Sequence, residues 1–345
     1  TGSEAPDIYY GPFAKFLKGF RQTELNDTEP RTNIWSMEEI VANQFPSNCL
    51  DRQFLIYSIA TDGATGLFSV VNQMISALAT ALMLNRTLMF VTQTDKPWMY
   101  APRHQCHDAI GRYRAWNCYL DPITNCEAPK VDDIRRFGRP QGHLWTKLAE
   151  FQTYAKNYKS VTLNIFFARE VFARLTQNPP LDSAQHMQHD ANLVAFLFRP
   201  VRAIVQYKEG LKAWLGLDKV SSFATVHIRR TDKANEAFLY TTTEYIQMLR
   251  ESNAPKHVFI MTDDPSVAGA LQEISDRTGA GFRFYHSPQL RPREGATPAM
   301  IRDSSATRSD AASAPEFPVV RHTVEFVADC MIAAEATFFV GSCGS

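Results

Sequence analysis

Between Phe54 and Val91 the hydrophobic period of the sequence changes twice. Phe54–Ala60 (FLIYSIA) is an apolar run of strand length, followed by the turn-rich segment Thr61-Asp62-Gly63-Ala64-Thr65-Gly66. Apolar residues then recur at Leu67, Val70, Val71, Met74, Ile75, Leu78, Ala81 and Leu82, the spacing of one helix face, and Thr87–Val91 reads as a second strand. Strand, glycine turn, helix and strand make a βαβ unit, which calls for a parallel sheet and a right-handed crossover.

A second series of the same kind occupies the last third: strand Phe223–Ile228, helix Thr243–Leu249, strand His257–Met261, helix Ser266–Arg277 and strand Phe282–His286. Helix His322–Glu335 then leads into strand Thr337–Val340. Between the two series, helical patterns from about Leu144 to Trp214 are broken at Asn178-Pro179-Pro180 and at Arg199-Pro200, where proline removes a donor. The reading is therefore an α/β chain of two Rossmann-like halves: an N-terminal stem over residues 1–46, a first α/β domain over 47–205 and a second over 206–345, with an ordered core starting near Ser47. Two such halves imply a ligand cleft between them, at the carboxyl ends of the strands. Glu294–Pro315 lacks apolar periodicity and reads as a mobile loop.

Thirty-six basic and 36 acidic residues cancel, so bulk charge argues against nucleic acid or an anionic membrane as the main partner, and an anionic ligand must be caught locally. No apolar run has the length of a membrane span, and Thr1-Gly2-Ser3 reads as a cloning remnant. The six cysteines have no CxxC or CxxH spacing that would suggest zinc. Cys106 with Cys118 and Cys49 with Cys126 can form nested bridges; four reduced core cysteines are the alternative. The sequons Asn26-Asp27-Thr28 and Asn85-Arg86-Thr87 fit a secretory chain, although Asn85 sits where a buried helix meets a strand.

The chemistry concentrates in Thr225-Val226-His227-Ile228-Arg229-Arg230-Thr231-Asp232-Lys233, where an apolar strand opens into three cations. Guanidinium forks and a lysine point charge suit a diphosphate leaving group; surface ion pairing is the plainer reading. Glu236, three residues after Lys233, suits general-base work on an acceptor hydroxyl, against the ordinary expectation of a solvated glutamate. His227 reads equally as a ligand contact or as a core histidine. The turn ending at Gly66 lacks both a dinucleotide fingerprint and a P-loop pattern. Asp263-Asp264-Pro265 follows a strand, where helix capping by Asp264 or Ser266 competes with a divalent metal site, and no metal is expected. Asp329 suits guanine N–H groups, and Gly341-Ser342-Cys343-Gly344-Ser345 suits an anion nest.

Val226–Lys233 (VHIRRTDK), Glu236-Ala237-Phe238, Thr262–Pro265 (TDDP) and the spacing from Asp329 to Ser345 resemble the α1,6-fucosyltransferases of N-glycans and rhizobial chitin oligosaccharides. Asn85–Phe90 (NRTLMF), Trp98-Met99-Tyr100 and Leu197-Phe198-Arg199-Pro200 are similar more loosely, so that the resemblance spans roughly Ser47–Ser345. It implies a GT-B architecture, two Rossmann-like domains facing a central cleft, and an inverting transfer of fucose from GDP-fucose to a glycan without metal or other cofactor. It further implies Arg229 on the β-phosphate, Lys233 on phosphate and in proton relay, Glu236 as base, and His227 and Asp329 on guanine. Ser345 and Gly66 fall at phosphate, Asp263 and Asp264 support the cleft or the acceptor, and Arg230 and Asp232 lie near the donor. The implied setting is the Golgi or another secretory lumen, with a membrane anchor in the full-length type II protein, and the partners are a GDP-sugar and a glycan or glycoprotein. Two departures are a loop before Glu236 one residue shorter than in animal members and the lack of their Gly-Cys-Gly-Tyr-Gly-Cys turn. Transfer of another nucleotide sugar, or non-catalytic glycan or nucleotide binding, are the alternative functions.

Overall fold

The computed structural model describes residues 35–58, 67–91, 98, 100–102, 105–111, 113–127, 134–136, 159–163, 191–230, 239–288 and 319–341. The chain divides into two compact units, Thr1–Arg199 and Pro200–Ser345.

In the first unit, helix α1 (Met37–Gln44) begins with a capping box, in which Ser36 Oγ accepts from Glu39 N and Glu39 Oε2 accepts from Ser36 N. Ile40 is buried, and Gln44 Oε1 accepts from the Leu88 amide at 3.1 Å, which fastens the helix to the sheet. The expected core start near Ser47 is thus too late. Ser36-Met37-Glu38-Glu39 is itself the S-x-x-E signal that marks the helix start.

Strands β1 (Phe54–Ser58), β2 (Thr87–Val91), β3 (Ile134–Arg136) and β4 (Ser160–Leu163) form a parallel sheet in the order β2-β1-β4-β3. Helix α2 (Leu67–Met83) connects β1 to β2 and buries Val70, Met74, Ala77, Leu78 and Ala81, so the expected βαβ unit is present. The helix closes with Arg86 N donating to Ala81 O (2.8 Å) and Asn85 N donating to Leu82 O (3.0 Å), with Asn85 in the left-handed conformation at φ 49°. The Arg86 side chain is buried and donates to Phe54 O at 3.0 Å and to Lys159 O at 3.4 Å, tying the starts of β1 and β4 together. Burial lowers its pKa to about 10, which leaves it charged at neutral pH.

Two disulfides, Cys49–Cys126 and Cys106–Cys118, form the nested pairs that the spacing allows. They bracket an aromatic cluster in which the Trp98 ring meets Tyr100, Trp116 and Tyr119 at centroid separations of 5.5, 6.0 and 6.3 Å.

The second unit opens with helix α3 (Arg202–Leu215), which the expected 205/206 boundary would cut; Gly216, at φ 74°, ends it. Strands β5 (Ala224–Ile228), β6 (His257–Thr262), β7 (Arg283–His286) and β8 (Phe338–Gly341) pair in parallel in the order β7-β6-β5-β8. Helices α4 (Thr242–Glu251) and α5 (Ser266–Arg277) pack Tyr245, Ile246, Leu249, Val267, Leu271 and Ile274 against Ala224, Val226, Ile228, Val258 and Ile260 on one face. Helix α3 and helix α6 (Val319–Ala334) cover the other, where Leu211, Phe223, Phe259, Met261 and Ile332 are buried. Each unit is therefore α/β with a parallel sheet, as expected. Among the described residues no helix is long and apolar enough to cross a membrane.

Candidate active site

The order β7-β6-β5-β8 places a topological switch between β5 and β8. From β5 the chain moves outward through β6 to β7, and β8 returns to the opposite side of β5. In parallel sheets of this kind, ligands gather outside the carboxyl ends of the strands at such a switch. Residues that alternate along β5 divide between its faces: Val226 and Ile228 enter the core beneath α4 and α5, and Thr225 and His227 face the side of α3 and α6. His227 is level with Met261 of β6 and Gly341 of β8, and continuing the β6–β7 register by one residue brings Ser287 into the same row.

Burial holds the His227 imidazole below its ordinary pKa of 6.5; the Arg229 guanidinium acts in the same direction and Asp263 opposes both. His227, Arg229 and Asp263 thus share one electrostatic neighbourhood at the switch. The two arginines diverge: Arg230 lies within electrostatic reach of Glu244 and Tyr245 at the start of α4, on the opposite face. Its backbone amide donates to Asp263 Oδ1 at 2.8 Å. Arg229 is therefore a cation on the histidine side, and Arg230 has the Glu244 carboxylate within electrostatic reach.

The adjacent Asp264 folds onto the start of α5, with Oδ1 accepting from Ser266 N at 2.9 Å and from Ser266 Oγ at 2.6 Å. Asp329 lies on α6 at 1% exposure, far from the solvated state usual for a helical aspartate, and its Oδ2 accepts from the buried Ser287 Oγ at 2.8 Å. Ser287 had no motif to mark it, and only the strand register brings it level with His227. Gly341 is a close approach: a Cβ there would stand 2.8 Å from the Phe339 ring and 3.6 Å from His227 Cβ.

Gly66, Asp232, Lys233, Glu236 and Ser345 lie outside the described residues, as does the loop expected at 294–315. Among the described residues, no group of three His, Cys, Asp or Glu side chains is arranged to hold a metal ion.

No protein-family model matches the chain, and no curated protein matches it. Among solved structures it is similar to the α1,6-fucosyltransferase NodZ co-crystallised with GDP, at 12% identity over 84% of this chain and 88% of that one, with a TM-score of 0.42. NodZ soaked with GDP-fucose gives 12% identity over 84% and 88% and a TM-score of 0.41. POFUT1 in complex with GDP gives 11% identity over 85% and 92% and a TM-score of 0.37. The two NodZ structures are of an α1,6-fucosyltransferase, and the likeness to all three structures is distant.

Proposed function

We propose that the protein is an inverting glycosyltransferase that moves fucose from GDP-fucose to a glycan hydroxyl, forming an α1,6 linkage without a metal ion. The reading is carried by the position of Arg229, beside His227 and Asp263 at the carboxyl end of the central strand and at the switch between β5 and β8. The VHIRRTDK run, with Glu236 three residues beyond Lys233, supplies the chemistry that position calls for.

In this mechanism Glu236 takes the proton of an acceptor hydroxyl as its oxygen attacks the anomeric carbon of the donor. The bond from that carbon to the diphosphate oxygen breaks, and the departing negative charge collects on GDP. Arg229 and Lys233 stabilise this charge in the transition state more than in the ground state, and this difference lowers the barrier. A neutral His227 and the Asp329 carboxylate contact the guanine, with Asp232, Ser345 and Gly66 near the phosphates. Donor binding falls to the second unit and acceptor binding to the first, each an α/β fold of the GT-B kind. The two disulfides support an oxidising secretory lumen, the Golgi in this reading, as the working compartment.

Calorimetric titration with GDP, paired with turnover of a panel of nucleotide sugars, tests the proposal. Arg229→Ala should weaken GDP binding at least tenfold, about 1.4 kcal/mol. Glu236→Gln should bind GDP normally and lose turnover by about 10²- to 10⁴-fold. A wild-type protein that prefers a donor other than GDP-fucose would be a different sugar transferase, and one that binds GDP without turning over any donor would be a binding protein.

A further inference from the structure

Asn85-Arg86-Thr87 meets the acceptor pattern for asparagine-linked carbohydrate, and the fold gives its three residues opposite fates. Asn85 is exposed, at the turn between α2 and β2. Arg86 and Thr87 are buried: Thr87 Oγ1 donates to Asn43 O at 2.9 Å and accepts from Arg52 Nε at 3.3 Å. The cap on α2 uses the left-handed main chain of Asn85 and the two backbone amides, so the side-chain amide is not needed to close the helix. Two disulfides in the same unit accord with the oxidising compartment where such carbohydrate is added. The turn precedes β2 and so lies at the amino-terminal edge of a parallel sheet, while ligands of such sheets gather at the carboxyl edge.

We propose that Asn85 carries an N-linked glycan, and that the glycan is attached before β2 docks beside β1. In the transfer, a bond forms between Asn85 Nδ2 and the anomeric carbon of a lipid-diphosphate-linked oligosaccharide. The bond from that carbon to the diphosphate oxygen breaks, and the lipid diphosphate and one Nδ2 proton leave. The transferring enzyme must hold the asparagine amide and the threonine hydroxyl together in an accessible segment. Once folded, the chain keeps Thr87 Oγ1 sealed against Asn43 and Arg52, so only the unfolded segment is a substrate. The outward position of Asn85 then lets the folded protein keep the sugar without disturbing the sheet. The proposal is independent of the reaction assigned above.

The test secretes the full chain from eukaryotic cells behind a cleavable leader, in an Asn26→Gln background. Glycans are released enzymatically in heavy-oxygen water, which marks each former attachment site as a labelled aspartate for peptide mass spectrometry. Label at residue 85 is expected, as is its loss in Asn85→Gly, a change that keeps the left-handed cap and the fold. Secreted, folded protein with unlabelled Asn85 overturns the site. Refolded, unglycosylated protein given the transferring enzyme and its lipid-linked donor should remain unmodified; modification there to the same extent as in cells overturns the order of events.

Discussion

The backbone amide of Arg230 donates to Asp263 Oδ1 at 2.8 Å, so the turn that leaves β5 is fastened by a side chain from the turn that leaves β6. Asp263→Ala removes that acceptor and a charge beside His227. A hydrogen bond to a charged group contributes about 1.5–3 kcal/mol. The expected result is a melting point a few degrees lower and GDP affinity reduced roughly tenfold, from a turn that no longer presents Arg229 in one orientation. Asp263→Asn, which keeps an acceptor oxygen, should recover most of both by calorimetry and thermal denaturation. An alanine variant with wild-type affinity would show that the turn needs no fastening.

Burial, reinforced by Arg229, depresses the His227 pKa below the 6.5 of an unperturbed imidazole. The unfolded chain therefore binds the extra proton first as the pH falls. Stability should decline from about pH 6.5 down through the folded-state pKa and level off below it, with a slope of at most about 1.4 kcal/mol per pH unit. Urea denaturation of wild type and His227→Gln between pH 7.5 and 5 checks this. The variant should lose that part of the slope, and parallel curves would refute it.

Lys208 has no exposed side-chain surface, and its Nζ meets Glu209 and Glu335 at 2.5 Å each; Lys212 also bonds Glu335. Burial pushes the Glu335 carboxyl up, but the two lysines outweigh it and hold it below the ordinary 4.5. Glu335→Ala leaves the buried Lys208 with Glu209 alone, a partner whose side chain is 60% exposed, and should cost about 1–3 kcal/mol in chemical denaturation. The contribution from the lowered Glu335 pKa is present above about pH 4.5 and is lost as the pH falls through its folded-state value.

Cys49 and Cys126 are 77 residues apart, whereas Cys106 and Cys118 are separated by 12. Loop-closure entropy assigns about 4.5 kcal/mol to the longer bridge and about 3 kcal/mol to the shorter. Double serine replacement of each pair, followed by denaturant titration, should rank them in that order.

Gly341→Val would bring a branched side chain against the Phe339 ring and toward His227. Phe339 is 58% exposed and can swing away, so stability should change by less than about 1 kcal/mol. GDP affinity should fall severalfold as the space beside His227 fills. Unchanged affinity in the valine variant would place the nucleotide elsewhere.

Where one face of an element is apolar and the other is not, the sequence reveals it. The spacing from Leu67 to Leu82 yields α2, Ser266–Arg277 is a helix at those bounds, and Thr87–Val91 is the strand expected. Strands β3 and β4 were not legible because Ile134–Arg136 and Ser160–Leu163 are three and four residues long, too short for a period to register, and exist through pairing with distant chain. The site was legible only in part. His227 and Arg229 stand out in a charged run, but the divergence of Arg230 toward Glu244 depends on which face of the sheet each side chain takes. Ser287 is a serine after an edge strand, and only the fold brings it to Asp329.

Strand β8 closes against β5 from far along the chain: Thr337 Oγ1 donates to the carbonyl of Phe223, 114 positions earlier. A ribosome must therefore have made nearly all of this sequence before the flank of His227 can exist, so a nascent chain halted after β7 would hold every other strand of its sheet and still lack the wall that Gly341 contributes. Whatever binding the carboxyl edge of this sheet supports would then appear late and all at once, when β8 docks.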